Sequence, residues 1–347
     1  MHMADALISP AVGGTLWLAS AGLIGYSSKK IAEAADDKKI PLMGVLGAFI
    51  FAAQMINFTI PATGSSGHLG GGMILSILLG PHAAFLVMAS VLIVQALFFA
   101  DGGLLALGCN IFNMGFFTCF VAYPLVYRPI AGNGEERWRI FAGAMIAGIV
   151  GLQLGAFGVV LETVFSGISA LPFKTFVMLM QPVHLGIGIV EGLVTSAVVL
   201  FILQARPEVL AAAQQNRGIG AVNIKKTLFG LLIAAAVTAG GLSWFASSDP
   251  DGLEWAMFKT SGQEELAADS PVHFAAAAIQ DKTAFLPDYG FKKTEPEVVQ
   301  EAAAQEVPQA WPAVDTGTSV AGLVGGLLTM FAVGAIGFIL KRKKKTS

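Results

Sequence analysis

The chain has 347 residues, of which 55% are hydrophobic and only 13% are charged, and its formal net charge is −2. Soluble domains carry about 25% charged residues, and a single water-soluble core cannot hide this much apolar surface. These values exclude a soluble enzyme, a nucleic-acid binder and a disordered chain. They predict an all-α membrane protein that crosses the bilayer several times.

Nine apolar segments follow one another along the chain. Most approach the roughly 20 residues that a helix needs to cross the bilayer: 8–26, 40–58, 83–100, 103–127, 140–164, 178–204, 227–246 and 318–340. The remaining segment, 70–80, is short and lies between Gly70-Gly71-Gly72 and Gly80-Pro81, which favour helix ends. Hydropathy alone leaves it as a short span or a re-entrant helix.

The positive charges decide how this short segment is counted. Of the 21 Lys and Arg residues, 16 fall in four clusters: Lys29, Lys30, Lys38 and Lys39; Arg128, Arg137 and Arg139; Arg206, Arg217, Lys225 and Lys226; and residues 341–345. The positive-inside rule predicts that all four clusters are cytoplasmic, which requires 70–80 to be a crossing. The sequence therefore predicts nine crossings, an external N-terminus and a cytoplasmic C-terminus.

Charge and hydropathy also divide the chain into three predicted parts. Residues 1–204 form a seven-helix transmembrane domain, 205–226 a cytoplasmic linker, and 227–347 a two-helix domain with an external loop at 248–317. This loop holds 13 of the 23 acidic residues. Its beginning, 248–258, predicts a turn and a short helix that packs on the outer mouth of the bundle. The acidic side chains there either attract cations or are simply solvated.

Few residues offer chemistry. The chain has five histidines and two cysteines, and it contains neither a phosphate-binding P-loop sequence nor an HExxH or CxxC motif. A P-loop mechanism of ATP hydrolysis is therefore excluded, so active transport would draw its energy from another subunit or an ion gradient. Cys109 and Cys119 lie in apolar runs, which is typical of small buried hydrophobic side chains.

The N-terminus offers a metal chelate. A free Met1 amine, the deprotonated amide nitrogen of His2 and its imidazole can form fused rings around one ion, and planar nitrogen ligands suit Ni(II) or Cu(II). The segment lacks the basic start of a signal peptide, so Met1 is expected to begin the mature chain. His68, in a glycine-rich external loop, is a candidate for the fourth nitrogen. The alternatives are a chance histidine at position 2 and a hydrogen-bonded loop histidine at 68.

Polar residues inside the apolar segments are costly in lipid and need an explanation. Asn110 and Asn113 lie one turn apart near Asp101, where they either brace the glycine-rich loop or join neighbouring helices. His184 and Glu191 share one helix face, and their spacing favours a structural polar contact over a metal site or a proton relay.

Three further residues are not expected to take part in binding. Glu162 lies at the end of its apolar segment and is expected to be solvated. His82 lies at the inner end of a span. His273 is expected to be a loop histidine without a partner.

Three motifs taken together resemble one family. Met-His-Met-Ala-Asp at 1–5, Gly-His-Leu-Gly-Gly-Gly at 67–72 and the Asp-Gly-Gly-Leu to Asn-Met run at 101–114 resemble the nickel/cobalt substrate-binding (S) subunits of energy-coupling-factor transporters, the NikM/CbiM type. The resemblance extends over 1–204. Pro-Asp-Gly-Leu-Glu at 250–254 resembles the accessory NikN/CbiN-like component, which is fused to the first part in NikMN systems.

The resemblance implies that Met1, His2 and His68 bind the ion. The candidate supporting residues around them are Ser65, Ser66, Asp101, Asn110 and Asn113. It also implies a non-catalytic subunit of the cell membrane without a resident cofactor, whose partners are a transmembrane coupling (T) subunit and two P-loop ATPase subunits. The cargo is Ni(II) or Co(II), and planar nitrogen ligation favours nickel. The alternatives are Co(II) uptake for cobalamin synthesis and an intramembrane metalloenzyme.

Overall fold

The computed structural model describes residues 2–33, 38–215, 223–263, 266, 270–292 and 311–345. As the composition predicts, these residues form a helical bundle. The helices are α1 (Pro10–Glu33), α2 (Lys39–Gln54), α3 (Gly72–Leu79), α4 (Pro81–Phe99), α5 (Leu107–Ala131), α6 (Arg137–Ser166), α7 (Phe173–Ala205), α8 (Pro207–Gln214), α9 (Lys225–Gly240), α10 (Gly252–Ser261), α11 (Pro271–Thr283) and α12 (Thr316–Lys345). A short hairpin pairs β1 (Phe58–Ile60) with β2 (Ser65–Gly67).

Five of these helices are long and apolar enough to cross a membrane: α4, α5, α6, α7 and the part of α12 up to Arg342. In lipid, a helix satisfies its own backbone hydrogen bonds, which is why such apolar runs become helices. The most apolar window of α4 is 78% buried, against 33% for α12. Helix α4 is therefore central, and α12 lies at the periphery. Each of the nine predicted segments contains a helix, but the number of crossings stays a prediction.

The short segment 70–80 differs from an ordinary span. Helix α3 has only eight residues, or about 12 Å of rise, so it cannot cross 30 Å of hydrocarbon alone. The β1–β2 hairpin precedes it and packs against the middle of α7, where a Cβ on Gly67 would come within 2.4 Å of the Ile187 side chain. Both the hairpin and α3 therefore contact α7.

The basic clusters of the sequence gather at one end of the bundle. Gly337 near the end of α12 lies against Ile40 at the start of α2, and Gly134 before α6 lies against Gln214 of α8. At the same end, Gly80 approaches the backbone of Ala213 in α8. This arrangement agrees with the common side that the charge pattern predicts for the four clusters.

The second part of the chain packs onto the first along α2. Helix α9 contacts α2 and α12, and α12 also contacts α4. Between them, the described residues of 248–292 form the outer segment, which contains α10, α11 and a 3-10 turn at Pro287–Tyr289. The expected short helix near 248–258 is confirmed as α10, which packs on α7 and β2. The outer segment thus lies over the end of the bundle opposite the basic clusters.

Candidate metal site

The structure brings His2 and His68 together. Their imidazole rings stack with centroids 5.0 Å apart and an interplanar angle of 11°. Only 7% of the His2 side chain is exposed, and His68 is 8% exposed. Met1, the remaining predicted ligand, lies outside the described residues. Two imidazoles from distant parts of the chain therefore face each other and are largely shielded from solvent.

Asp101 fixes the orientation of His2. It follows α4, whose chain turns at Ala100 with a φ of +55°, and its Oδ1 lies 3.1 Å from Nδ1 of His2. Although burial alone would raise the pKa of Asp101, the neighbouring His2 imidazole holds that pKa below its usual range. Nε2 of His2 is buried and has no hydrogen-bond partner among the described residues. Nδ1 of His2 therefore contacts a carboxylate, while Nε2 has no hydrogen-bond partner among the described residues.

Asn110 holds the residue that follows His2. The amide of Met3 donates to Oδ1 of Asn110 at 2.8 Å, and Nδ2 of Asn110 donates back to the Met3 carbonyl at 3.3 Å. The backbone passes very close here, because a Cβ on Gly102 would lie 2.8 Å from Nδ2 of Asn110 and 3.2 Å from Cβ of His2. A positive φ of +79° at Gly102 further favours glycine. The N-terminal backbone is therefore held firmly against the 101–103 loop.

The other candidate supporting residues lie farther out. Nδ2 of Asn113 donates to Glu162 at 2.7 Å and contacts the Met3 sulfur at 3.9 Å. The expectation that Glu162 is solvated is wrong, because Glu162 is buried and pairs with this amide. Ser65 pairs with Thr63. The Ser66 hydroxyl donates to the Asp249 carbonyl at 2.7 Å. None of these contacts reaches the two imidazoles.

Glu191 positions the His68 loop from the middle of α7. Its carboxyl oxygens accept from the Gly70 amide at 2.9 Å and from the Gly71 amide at 3.0 and 3.2 Å. From α2, Nε2 of Gln54 donates to the Gly70 carbonyl at 2.8 Å. The expected structural role of Glu191 is thus observed, but its partner is the loop rather than His184, whose Nδ1 lies 2.8 Å from the Met180 carbonyl.

The outer segment closes over this site. Backbone pairing joins it to the His68 loop, since the Ser66 amide donates to the Pro250 carbonyl at 2.7 Å. The carboxylate of Asp251 caps α10 by accepting from the amides of Leu253 and Glu254 at 2.8 and 2.9 Å. Asp251 also lines a cavity of about 770 Å³ together with His2 and His68. The outer segment therefore contributes a carboxylate to the surroundings of the histidines.

A second set of contacts comes from α11 and the turn after it. Nε2 of His273 lies 3.1 Å from the Asp5 carbonyl and 2.9 Å from the Ile8 carbonyl. The expectation that His273 has no partner is therefore wrong. Nε2 of Gln280 donates to the Gly102 carbonyl at 2.8 Å, and the Tyr289 hydroxyl donates to Asp101. The outer segment thus holds both the N-terminal backbone and the carboxylate that orients His2.

His82 is confirmed as remote from these groups. It lies in the first turn of α4 at the basic end of the bundle, where its Nδ1 lies 3.4 Å from the Ser27 hydroxyl.

Burial of the His68 imidazole is the main reason why the pKa of this residue lies below its ordinary value. His68 therefore offers a neutral imidazole, which is the form that binds metal.

Known protein families match both parts of the chain. Residues 2–209 match the family described as the cobalt uptake substrate-specific transmembrane region (CbiM), and residues 225–342 match the PDGLE domain. A putative fused nickel transport protein NikMN of Archaeoglobus fulgidus is 32% identical over the full length of both chains. The fused nickel transport protein NikMN of Rhodobacter capsulatus is 32% identical over 94% of this chain and 98% of its own.

Other relatives match about 60% of the chain. The cobalt transport protein CbiM of Geobacter sulfurreducens is 28% identical over 61% of this chain and 62% of its own. A crystal structure of a transition metal transporter is 30% identical and has a TM-score of 0.53, covering 59% of this chain and 93% of its own. These relatives are transporters rather than enzymes. The chain is therefore a multi-pass membrane protein of metal transport that belongs to the CbiM family, with a PDGLE domain joined to it in the same polypeptide.

Proposed function

We propose that this chain captures Ni(II) outside the cell as the substrate-specific component of an energy-coupling-factor importer. The ligands are the Met1 amine, the amide and imidazole nitrogens of His2, and the imidazole of His68. The observation that carries the proposal is the stacking of the His2 and His68 rings at 5.0 Å beside a clamped N-terminal backbone. Four nitrogens arranged in a plane suit Ni(II).

The surroundings of the two histidines favour a cation. The carboxylates of Asp101 and Asp251 line the same cavity, and fixed negative charge with low-dielectric walls concentrates positive ions. The chelate ring through the His2 amide uses Nδ1, the nitrogen that contacts Asp101 in this structure. Metal binding would therefore exchange the Asp101 contact for the ion, and the carboxylate would stay close enough to stabilise it.

Co(II) is the second candidate cargo, because the family description refers to cobalt uptake and the Geobacter relative is named for cobalt. Planar nitrogen ligation is the argument for nickel. The intramembrane metalloenzyme loses its support, since His184 and Glu191 bind different backbone groups.

The proposal also includes partners and sidedness. The sequence lacks a P-loop, so ATP hydrolysis is assigned to two separate P-loop ATPase subunits, which act through a transmembrane coupling subunit. The gathering of the basic clusters at one end of the bundle supports a cytoplasmic C-terminus. The histidines lie at the opposite end and would face the outside of the cell membrane.

The test blocks the amine without changing any side chain. Selective acetylation of the Met1 amine removes its metal-binding lone pair, and so it breaks the five-membered ring formed by the amine and the His2 amide. We expect Ni(II) affinity, measured by isothermal titration, to fall at least about 100-fold, because loss of even an outer hydrogen-bond partner costs about 10- to 100-fold. His2→Ala and His68→Ala should also bind weakly, and Co(II) is titrated in parallel.

His82→Ala is the matched control, because it removes an imidazole at the far end of the bundle and should bind as the native protein does. Intact mass determines which residue begins the purified chain and whether it carries one acetyl group. An acetylated protein that binds Ni(II) as tightly as the native one would contradict the chelate. Binding of Co(II) but not Ni(II) by the native protein would leave the ligands in place and overturn the assignment of the cargo.

A further inference from the structure

A second cavity lies at the other end of the molecule, where the two parts of the chain meet. It has a volume of about 590 Å³ and lies between α7 and α9, with Phe49 of α2 contributing to its lining. The volume falls within the range of about 300–1,000 Å³ that is typical of small-molecule sites. Helix α9 packs on α2 and α12, whereas α7 packs mainly on α6. A groove is therefore left between α7 and α9.

The walls of the groove are apolar and small. Ala197 and Phe201 line it from α7, and Gly230 and Ala234 line it from α9. Phe201 is 64% exposed, and a Cβ on Gly230 would meet no atom within 4 Å. Small residues usually let membrane helices approach closely, but here the two helices stay apart. The groove is open toward the position that lipid would occupy.

Two cations close one end of the groove. Arg206 follows α7 and Lys226 lies in the first turn of α9, and both line the cavity. Neither has an ion-pair partner among the residues that the structure describes. Both belong to the basic cluster of the linker, at the end of the bundle assigned to the cytoplasm. The groove thus combines an apolar trough with a positively charged end.

The length of the groove matches one leaflet of a bilayer. Its walls extend from Ala197 to Ala205 on α7 and from Lys226 to Ala234 on α9. Each wall therefore has a helical rise of about 12 Å, close to half of a hydrocarbon core about 30 Å thick. An acyl chain of the inner leaflet would fit along the trough while its headgroup reached the cations.

We propose that this groove binds an anionic phospholipid of the inner leaflet, with its phosphate at Arg206 and Lys226 and one acyl chain between α7 and α9. Basic pockets between membrane helices on the cytoplasmic side are suited to anionic headgroups. The lipid fills the gap between the two parts of the chain and so connects them at the linker. This proposal does not depend on the metal or on the ligands of the first site.

The test counts bound lipid by native mass spectrometry of the full chain in detergent. Dioleoyl phosphatidylglycerol and dioleoyl phosphatidylcholine are titrated separately, and the native protein should bind the anionic lipid more tightly. Each cation near an anionic lipid surface contributes about fivefold. We therefore expect the double variant Arg206→Gln, Lys226→Gln to bind phosphatidylglycerol about 25-fold more weakly.

A second variant keeps both charges. Gly230→Leu places an apolar side chain in the trough at a position where a Cβ meets no atom within 4 Å, and it should weaken phosphatidylglycerol binding at least tenfold. The matched control is Arg128→Gln, Arg137→Gln, which removes two exposed cations of the same end of the bundle and should bind the lipid normally. An unchanged midpoint of thermal unfolding in every variant shows that the fold is intact.

Two outcomes would overturn the proposal. Equal binding of phosphatidylglycerol to the native protein and both groove variants would exclude a lipid site. Loss of co-purifying transmembrane coupling subunit in the groove variants, with lipid binding unchanged, would assign the groove to a protein partner instead.

Discussion

The hydrogen bonds from Glu191 to the His68 loop lead to a sharp prediction. Glu191 is 1% exposed and accepts from two glycine amides that are also buried. Glu191→Leu leaves both amides without an acceptor, and each unsatisfied buried group costs about 1–3 kcal/mol. We therefore expect the free energy of unfolding to fall by about 2–6 kcal/mol. Glu191→Gln keeps one acceptor oxygen and should lose roughly half as much.

The same change should reach the metal. His68 lies two residues before Gly70, so a loop that is no longer held at Gly70 and Gly71 presents its imidazole poorly. We expect Ni(II) affinity to fall about tenfold in Glu191→Gln and further in Glu191→Leu, in line with the cost of losing groups that orient ligands. Unfolding in mixed micelles and isothermal titration measure the two quantities on the same samples.

The control for this pair is Glu208→Gln, which removes an exposed carboxylate from α8 at the basic end of the bundle. It should change neither quantity. A Glu191→Leu protein that is as stable as the native one and binds Ni(II) equally well would refute the role assigned to this carboxyl group.

Three further predictions concern the surroundings of the histidines. Asp101→Asn should weaken Ni(II) binding about 10- to 100-fold. Tyr289→Phe removes one hydrogen bond to Asp101 and should weaken it about two- to tenfold. Isothermal titration measures both losses, and a larger loss in Tyr289→Phe than in Asp101→Asn would contradict the prediction. His273→Ala removes the contacts of this imidazole with the carbonyls of Asp5 and Ile8. The rate at which a competing chelator removes the metal should rise about tenfold. An unchanged rate would show that these contacts do not retain the ion. Ni(II) affinity should fall below neutral pH, because the Met1 amine and the His2 amide must lose protons to bind the ion. Burial keeps the pKa of His68 below its ordinary value, so His68→Ala should show the same pH dependence of affinity. A flatter pH profile in this variant would contradict the assignment of the protons to the amine and the amide.

The apolar segments could be predicted because a span in lipid must form its own backbone hydrogen bonds, and each predicted segment contains a helix. The proximity of His2 and His68 could be predicted from two signals: both residues are expected on the outer face, and their motifs resemble one metal-binding family. The bounds of α3 could not be predicted, because hydropathy does not reveal that a hairpin occupies part of the path along α7.

The hydrogen-bond partners of the buried polar residues also could not be predicted from the sequence. The spacing of His184 and Glu191 places them on one helix face, but it does not tell which loop lies against that face. The burial of Glu162 could not be predicted, because its hydrogen bond with Asn113 depends on the packing of α5 against α6. Tyr289 and His273 lie in the segment that the sequence predicts as an external loop, and nothing in the local pattern connects them with the N-terminus.

The contacts of the outer segment have a kinetic consequence because both partners belong to one polypeptide. His273, Gln280 and Tyr289 make a handful of hydrogen bonds to the first part, and separate chains joined only by these would dissociate readily. The linker and α9 tether them, so the outer segment meets its target at an effective concentration in the millimolar range. The formation of these contacts is therefore independent of protein abundance, and each pair of histidines has its own copy of the segment whatever the level of expression.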